Sequence, residues 1–349
     1  MTRRCNLKCV HCYAHARDAF FKGNELNTEE GKRLIDDLAA FGSPVMLFSG
    51  GEPVLREDLP ELIDYAVKKG MRAVISTNGT LITEEKARIF AKFNLSYIGV
   101  SLDGIGGVND AFRGVKGAFG KAMDGIRNAK KAGIKVGLRF TINKRNYKEI
   151  PRIFDLIDTE GIERACFYHL VYAGRGSELM NEDLSHEESR KSVDYILDRT
   201  KSFFDKGKPI EVLTVDNHAD GPYLYMRLLR EDPARAAEVF DLLMMNEGNA
   251  SGVGIACVDE EGNVHADQFW RHYSFGNVRE RPFSEIWMDT SNELMDKLKR
   301  KKEFVKGRCA RCRWLNICGG NFRVRAEAKT GDLWAEDPQC YLTENEITK

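Results

Sequence analysis

Apolar residues along this chain recur with two different periods, and the two periods alternate. Leu34, Ile35 and Leu38 fall on one face of a helix that Asn27 can cap at its start. A continuous apolar run at residues 44–48 follows, with the length and composition of a buried strand. The same alternation predicts strands at residues 44–48, 72–75, 97–100, 136–142 and 164–170, with a further strand at residues 210–215.

Helical segments separate these predicted strands along the chain. Successive strands that are joined through helices pair in parallel, with right-handed crossovers. The pattern therefore predicts an α/β protein built on an open parallel (β/α) barrel. In such a barrel the chemistry lies at the carboxyl ends of the strands.

Polar and glycine-rich residues follow the predicted strands closely. Gly50, Gly51 and Glu52 come after the first strand, in a sequence that a type II turn would also explain. Further polar residues lie at or near the ends of the following strands: Ser76, Asn78, Ser101, Asp103 and Arg139. Each of these residues alone could have a purely structural role, so only their occurrence together indicates a functional site.

Three cysteines near the start of the chain, Cys5, Cys9 and Cys12, have the spacing CxxxCxxC. As thiolates they can surround one small inorganic centre and leave one iron of a [4Fe–4S] cluster open to a non-protein ligand. A zinc site, or a cluster completed by a distant fourth cysteine, also fits the spacing. The motif alone does not decide between these alternatives.

A second set of cysteines lies near the end of the chain. Cys309, Cys312, Cys318 and Cys340 make a complete set of four thiolate ligands. Zinc and iron–sulfur clusters both accept such a set. The spacing therefore predicts a metal centre without identifying the metal.

Charge and composition narrow the class of protein. Lys plus Arg and Asp plus Glu both number 53, so the formal net charge is zero and a basic nucleic-acid-binding protein is not expected. The apolar runs are shorter than a membrane span, and no charged-then-apolar leader precedes Cys5. Nine cysteines without a leader indicate a reducing compartment and metal binding. We expect a soluble cytoplasmic protein.

The CxxxCxxC motif, followed by GGEP at residues 50–53 and by the polar strand ends, resembles the radical S-adenosylmethionine (SAM) enzymes. The resemblance implies that Cys5, Cys9 and Cys12 hold a [4Fe–4S] cluster whose open iron binds SAM. Reductive cleavage of SAM would then give a 5′-deoxyadenosyl radical. The resemblance also implies an incomplete (β/α)6 barrel over residues 1–215, with its first strand largely missing, and a smaller cluster-binding domain over residues 216–349.

The same resemblance assigns roles to the polar residues. Those that would bind SAM are Gly50, Gly51, Glu52, Ser76, Asn78, Ser101 and Arg139. The Glu52 loop would hold the amino group of SAM, and Arg139 would face its carboxylate. His11 lies where the family has an aromatic residue near the adenine. We expect His11, Glu52 and Asp103 to be catalytic residues.

The C-terminal cysteines resemble the SPASM and twitch extensions of radical SAM enzymes, which bind auxiliary [4Fe–4S] clusters. A full SPASM domain holds two clusters, but this chain has Asp267 and Phe322 at two positions where the family has cysteine. We therefore expect one auxiliary cluster, held by Cys309, Cys312, Cys318 and Cys340. Cys257 would be a remnant of the lost site, and Cys166 a core residue.

Residues 264–273 are unusually rich in aromatic and cationic side chains. Stacking faces, arginine for carboxylates and histidine for iron would suit a flat tetrapyrrole, although domain packing explains the composition equally well. The candidate substrate contacts are His218, His265, Arg271 and His272. His218 could instead pair with Asp220.

This stretch, with residues 168–176 and 9–14, resembles the radical SAM enzymes of alternative haem synthesis. The resemblance implies removal of the acetate side chains of didecarboxysiroheme to give an iron coproporphyrin, with electrons from an external donor. The alternatives among enzymes are a d-type haem synthesis protein acting on the same tetrapyrrole and a peptide-modifying SPASM maturase. Outside catalysis, the alternative is an iron–sulfur electron carrier or a zinc-stapled binding protein.

Overall fold

The computed structural model describes residues 1–348 and contains a parallel sheet whose six strands lie in the order of the sequence. The strands are β1 Val45–Phe48, β2 Arg72–Thr77, β3 Tyr97–Ser101, β4 Val136–Ile142, β5 Arg164–His169 and β6 Glu211–Val215. Each strand pairs in parallel with the next. The strands predicted from the apolar runs, and the predicted α/β class, are confirmed.

Helices precede the first strand and connect every pair of neighbouring strands. They are α1 Thr28–Phe41, α2 Leu59–Lys68, α3 Glu84–Lys92, α4 Gly107–Arg113, α5 Ala118–Lys131, α6 Ile150–Glu160 and α7 His186–Asp205. This arrangement places all carboxyl ends of the strands at one edge of the sheet, which is where polar residues follow each strand.

The chain after β6 is built mainly from short helices. They are α8 Asp220–Glu231, α9 Pro233–Asn246, α10 Phe283–Met288, α11 Glu293–Lys299, α12 Gly307–Ala310, α13 Leu315–Cys318, α14 Arg323–Thr330 and α15 Glu344–Thr348. Between α9 and α10, β7 Cys257–Val258 and β8 Val264–His265 form an antiparallel hairpin. Gly262 lies in the turn of this hairpin, with a left-handed φ of 90°.

Local sequence explains how α1 begins and ends. The Asn27 side chain accepts a hydrogen bond from the Glu30 N–H at 2.9 Å, and the Glu30 carboxylate accepts one from the Asn27 N–H at 2.8 Å. This reciprocal cap satisfies two amide groups that the helix leaves free. Gly42 ends the helix with a left-handed φ of 88°, a conformation that glycine adopts without steric cost.

Two of the five apolar clusters contain most of the buried core. The larger one lies between the sheet and its helices and includes Ile98, Phe140 and Phe167. The second joins α1 to the C-terminal region through residues such as Leu34 and Trp270. The C-terminal region thus packs directly on the barrel. None of the helices within residues 1–348 combines the length and apolarity needed to cross a bilayer.

Candidate active site

The three N-terminal cysteines lie together in one small cluster of packed side chains. Cys5 and Cys9 are buried, and Cys12 is half-buried. Burial raises the pKa of Cys5 to about 12, and the neighbouring Cys9 and Cys12 thiols act in the same direction. The Leu7 N–H donates to the Cys5 sulfur and the Ala16 N–H to the Cys12 sulfur, each at 3.4 Å. Three adjacent thiols, two of which receive amide donors at their sulfurs, fit a cluster with one open iron.

Arg113, from the last turn of α4, reaches the same cysteines. Its Nη1 donates to the Cys9 sulfur at 3.6 Å. Its Nη2 forms an ion pair with Asp103, whose carboxylate is fully buried and also accepts from the Thr141 N–H at 2.9 Å. Asp103 therefore orients Arg113 against a cluster ligand, and its own role as a catalytic residue remains a prediction.

His11 packs beside the third cysteine on Phe112, with ring centroids 4.6 Å apart. Its Nε2 lies 3.7 Å from an Asp103 carboxylate oxygen, and its Nδ1 is buried without a partner among residues 1–348. Burial lowers the pKa of His11 to about 4. The ring is therefore neutral at physiological pH, which suits a flat contact with an adenine.

Glu52 is fully buried at the loop after β1. Its carboxylate accepts hydrogen bonds from the Asn78 N–H at 2.8 Å, the Thr77 hydroxyl at 2.7 Å and the Val54 N–H at 3.1 Å. Burial outweighs these bonds and raises the pKa of Glu52. Since a carboxylate has about four acceptor positions, three of them already tie this loop to the end of β2. An added amino group could use the remaining one.

Gly50 and Gly51 allow the N-terminal segment to approach this loop closely. A Cβ on Gly51 would lie 2.2 Å from the Arg4 carbonyl oxygen, and one on Gly50 would lie 2.5 Å from that of Thr2. The Gly51 N–H donates to Thr2 O at 2.6 Å, and the Glu52 N–H donates to Arg4 O at 2.8 Å. The loop therefore positions the segment that leads into Cys5, which is a more specific reason for glycine than a type II turn.

The remaining residues expected to bind SAM lie side by side at the strand ends. Arg139 donates to the Ser76 hydroxyl at 2.6 Å and faces Ser101 across the β3–β4 pair. A Cβ on Gly99 would lie 2.8 Å from Arg139 Nε, so glycine leaves room for this guanidinium to cross β3. Asn78 donates to the Asn6 side chain at 2.9 Å, within the cysteine motif. The predicted SAM contacts thus converge, and their individual roles remain predictions.

The four C-terminal cysteines line one pocket, together with Asn321. Burial and the three neighbouring thiols raise the pKa of Cys318 well above its usual range. Neither these thiols nor any other group of three His, Cys, Asp or Glu side chains within residues 1–348 converges on a single-ion site. Four separated thiols around a pocket fit an iron–sulfur cluster.

The two positions at which SPASM domains carry further cysteines are filled by structural contacts. Asp267 is buried and accepts from the Ser251 hydroxyl and, at 2.7 Å, from the Phe269 N–H. Phe322 packs against Phe269 with ring centroids 5.5 Å apart. Cys257 lies half-buried in β7, and Cys166 is buried in the sheet, as predicted for a core residue.

Three of the four candidate substrate residues are engaged elsewhere. Both ring nitrogens of His265 have partners, the Tyr273 carbonyl at 2.6 Å and Asp259 at 3.2 Å. Arg271 donates to Glu260 at 2.7 Å, and His272 pairs with Glu327 at the surface at 2.8 Å. The structure therefore favours packing as the explanation of this aromatic and cationic stretch, and the prediction that it meets a substrate is not supported by its contacts.

His218 differs from these three. Its expected partner Asp220 instead binds His169 at 3.0 Å and the Tyr341 hydroxyl at 2.6 Å. The suggested His218–Asp220 pair is therefore wrong. The His218 ring stacks on Phe322 at 6.3 Å, and its nitrogens have no hydrogen-bond partner in the part of the chain that the structure describes. Burial lowers the pKa of His218 to about 4, which leaves a neutral imidazole.

Sequence reasoning missed Arg113 and Asp216. Arg113 gave no sequence signal, because it lies in a helix far from the cysteines in the chain. Asp216 follows β6 directly, so the strand-end rule applied to the earlier strands would have found it.

Comparisons with known proteins agree with this geometry. Residues 1–157 match the radical SAM superfamily, and residues 249–313 match the SPASM iron–sulfur cluster-binding domain, a match that ends before Cys318 and Cys340. Fe-coproporphyrin III synthase from Methanosarcina barkeri is 69% identical, with 99% of this chain and 88% of that protein covered. Pre-heme d1 synthase from Dinoroseobacter shibae is 43% identical, with 98% and 85% covered.

Among solved structures, native anSMEcpe with bound AdoMet superimposes with a TM-score of 0.73 at 18% identity, over 97% of this chain and 92% of that one. That likeness supports the fold. The superfamily implies a [4Fe–4S] cluster and SAM, and the SPASM match implies an auxiliary cluster. The chain is an enzyme of the radical SAM superfamily, with a C-terminal SPASM domain, and belongs to the haem-synthesis group of that superfamily.

Proposed function

We propose that this enzyme removes the acetate side chains of didecarboxysiroheme and releases an iron coproporphyrin. The observation that carries the proposal is the 69% identity to Fe-coproporphyrin III synthase over 99% of the chain. AdoMet-dependent heme synthases are 33–34% identical, and PqqA peptide cyclases are 27–28% identical. Identity therefore falls steadily from the tetrapyrrole relatives to the peptide relatives.

A second candidate is the formation of a d-type haem precursor, since pre-heme d1 synthase is 43% identical. Both candidates use a tetrapyrrole and the same cluster ligands. They differ in the product, so product identification separates them.

In this proposal Cys5, Cys9 and Cys12 hold the catalytic cluster. When bound, the cluster and SAM supply the hydrogen-abstracting chemistry that the rest of the protein directs. Arg113 places a positive charge on the Cys9 sulfur and is itself held by Asp103. The protein thus contributes orientation and charge balance around a reactive centre.

SAM is held at the adjoining strand ends. Arg139, which donates to the Ser76 hydroxyl, would bind the carboxylate of SAM, because the fork geometry of a guanidinium suits that group. Ser101 is paired with Arg139 across β3 and β4, and Asn78 follows β2. Gly50, Gly51 and Glu52 fix the loop that positions the cysteine segment, and Glu52 keeps one acceptor position for the amino group.

His218 is the substrate contact that the geometry favours. Its ring is neutral and unpaired, the form in which imidazole binds metals, and it stacks on Phe322. We therefore place the substrate iron near His218 in this proposal. His265 and His272 would each have to break existing contacts to serve in its place.

Cys309, Cys312, Cys318 and Cys340 hold the auxiliary cluster, and an external electron donor reduces the enzyme. Asn321 lines the pocket of these cysteines, and its side-chain oxygen accepts a hydrogen bond from the backbone N–H of His218 at 2.8 Å. This hydrogen bond therefore links the auxiliary cluster site to the favoured substrate contact.

The test is an anaerobic reaction of the reconstituted enzyme with SAM, dithionite and a panel of sirohaem derivatives. We expect didecarboxysiroheme to be converted to a product with the mass and absorption spectrum of an iron coproporphyrin. A product of different mass from the same substrate would favour the d-type haem candidate. Conversion of none of the tetrapyrroles, despite SAM cleavage, would contradict both.

A further inference from the structure

Two buried cations, Lys301 and Arg323, lie next to the four C-terminal cysteines. Lys301 is 5% exposed and Arg323 is 1% exposed. Every hydrogen bond of the two side chains goes to an amide oxygen, and neither has a carboxylate within ion-pair distance among residues 1–348. A buried charge is costly unless an opposite charge lies close to it. The two cations therefore indicate an anion at this place in the fold.

Lys301 is held at the cysteine site by Asn249. Its ammonium group donates to the Asn249 carbonyl and, at 3.1 Å, to the Asn249 side-chain oxygen. The Asn249 N–H in turn donates to the carbonyl of Cys318 at 3.2 Å. Cys318 is also one of the groups that interact electrostatically with Lys301. One bridging residue thus fixes the ammonium group beside a cysteine of the auxiliary site.

Arg323, the first residue of α14, reaches the same site. Its Nη2 donates to the carbonyl of Gly320, which lines the cysteine pocket, and its Nη1 donates to two carbonyls within residues 333–335. Its Nε is buried and has no hydrogen-bond partner in the part of the chain that the structure describes. Arg323 interacts electrostatically with both Cys309 and Cys318. The guanidinium is therefore fixed by neutral carbonyls, with its charge directed at the cysteines.

The buried carboxylates of this region do not neutralise the two cations. Asp337 is bound by Arg325 through both of its oxygens, each at 2.8 Å. Asp267 accepts hydrogen bonds from a hydroxyl and a backbone N–H, and it acts on Lys301 only from beyond ion-pair distance. Four thiolates around an oxidised [4Fe–4S] core carry two net negative charges. The bound cluster therefore supplies the anion that the two cations require.

We infer that Lys301 and Arg323 are the counter-charges of the auxiliary cluster and raise its reduction potential. This inference rests on the cysteine assignment within the proposed function, but not on the identity of the tetrapyrrole. Uptake of one electron from the external donor adds a third negative charge to the cluster site. Two fixed cations in a buried environment stabilise that added charge, because Coulomb interactions are strong where water is excluded. Both side chains therefore favour reduction of the auxiliary cluster.

The most direct test is Lys301→Met, which removes the charge and keeps the length of the side chain. An anaerobic, EPR-monitored redox titration of the reconstituted full-length enzyme measures the effect. We expect the ratio of reduced to oxidised auxiliary cluster at a fixed potential to fall about tenfold, equivalent to about 59 mV for one electron. Arg323→Gln should shift the ratio in the same direction. Arg323→Lys, which keeps the charge, should remain close to the wild type.

Lys302→Met is the matched control. Lys302 is the next residue in the chain, but its side chain is 32% exposed and pairs with Glu247 at 3.6 Å. Water and salt screen such a charge, so its replacement should leave the auxiliary potential unchanged. The N-terminal cluster in the same samples is an internal control, identified by the change of its EPR signal when SAM is added. Its potential should not shift in any of these variants.

Equal auxiliary potentials in Lys301→Met, Arg323→Gln and the wild type would overturn the inference. An equal shift in Lys302→Met would also overturn it, because the effect would then not depend on a buried charge. Iron analysis accompanies each titration. Loss of the auxiliary cluster from Arg323→Gln but not from Arg323→Lys would support a role of the charge, whereas loss from both would indicate a packing role and overturn it.

The outcome separates this inference from the proposed reaction. A wild-type enzyme without a second cluster would overturn both the cysteine assignment and the role of the two cations. If the potentials shift as expected but didecarboxysiroheme is not converted, the proposed reaction fails while the role of Lys301 and Arg323 stands.

Discussion

Arg113 shows how a single side chain can set the electrostatics of the catalytic centre. The guanidinium is buried, contacts the sulfur of Cys9 and is held from behind by Asp103. Hydrogen bonds and positive charge at cluster sulfurs stabilise the more negative, reduced state. The contact should therefore make the cluster easier to reduce.

Replacing Arg113 with Met should lower the reduction potential of the N-terminal cluster. The shift corresponds to about 40 mV for each kcal/mol of lost stabilisation in a one-electron couple. An EPR-monitored redox titration of the reconstituted protein measures it. Arg127→Met is the control, because Arg127 pairs with Glu160 on the surface of α5. Equal potentials in Arg113→Met and the wild type would show that the contact does not tune the cluster.

His218 and His272 provide a matched pair for the substrate contact. Changing His218 to Ala should weaken binding of didecarboxysiroheme by about tenfold or more, about 1.4 kcal/mol, and alter its Soret band. The reason is that the neutral, unpaired ring is available to the substrate iron. His272→Ala removes a surface histidine that pairs with Glu327, so its binding should equal that of the wild type. A spectral titration in which both variants behave alike would exclude His218 as the iron contact.

At the level of elements, the sheet and the C-terminal region are joined by a buried ion pair. Arg325 from α14 binds Asp337 and the carbonyls that follow β5 and β6. Both charged side chains are fully shielded from solvent. Breaking one half of such a pair leaves an uncompensated buried charge.

Arg325→Met should therefore destabilise the fold by about 3–5 kcal/mol, and the double variant Arg325→Met/Asp337→Leu should be less destabilised. Although burial opposes it, Arg325 keeps the pKa of Asp337 below its usual 3.8. A depressed carboxyl pKa adds stability above pH 3.8, and that stability is lost as the pH falls through the folded-state value. Urea unfolding at pH 7 and pH 3.5 measures both effects. A double variant as unstable as the single one would contradict this account of the buried Arg325–Asp337 ion pair.

The same elements show what the sequence could and could not predict. The six strands and α1 were accessible because apolar runs, glycines and the Asn27 cap are local signals. The short helices after β6 were not, since segments such as α12 and α13 have only four residues and no readable period. For residues 264–273, composition left substrate contact and domain packing equally open, because it does not reveal that Glu260 and Glu327 pair with Arg271 and His272. Asp216 could have been predicted as a site residue, because it directly follows β6 and the same reasoning was applied to polar residues at the ends of the earlier strands.

Across the whole molecule, the two sets of cysteines lie in separate places. The N-terminal set packs against α4 and α5, and the C-terminal set surrounds its own pocket. The loop of Asp216 and His218 connects to the second pocket through Asn321. This arrangement should allow each cluster to be removed separately.

Cys312→Ala should abolish the auxiliary cluster, about four irons per chain, and spare the N-terminal cluster. Solubility should decrease, because the four thiolates join distant parts of the C-terminal region through the metal centre. Iron analysis with Mössbauer or EPR spectroscopy measures the loss, and Cys166→Ala, in the core of the sheet, is the control. Zinc in place of iron at this site in the wild-type protein would contradict the cluster assignment.

The most direct test of the central claim is to quantify free acetate and 5′-deoxyadenosine together during anaerobic turnover of didecarboxysiroheme. The account predicts two acetate molecules for each iron coproporphyrin formed, with 5′-deoxyadenosine produced in step with acetate. Production of 5′-deoxyadenosine without acetate, while the tetrapyrrole keeps both side chains, would contradict it.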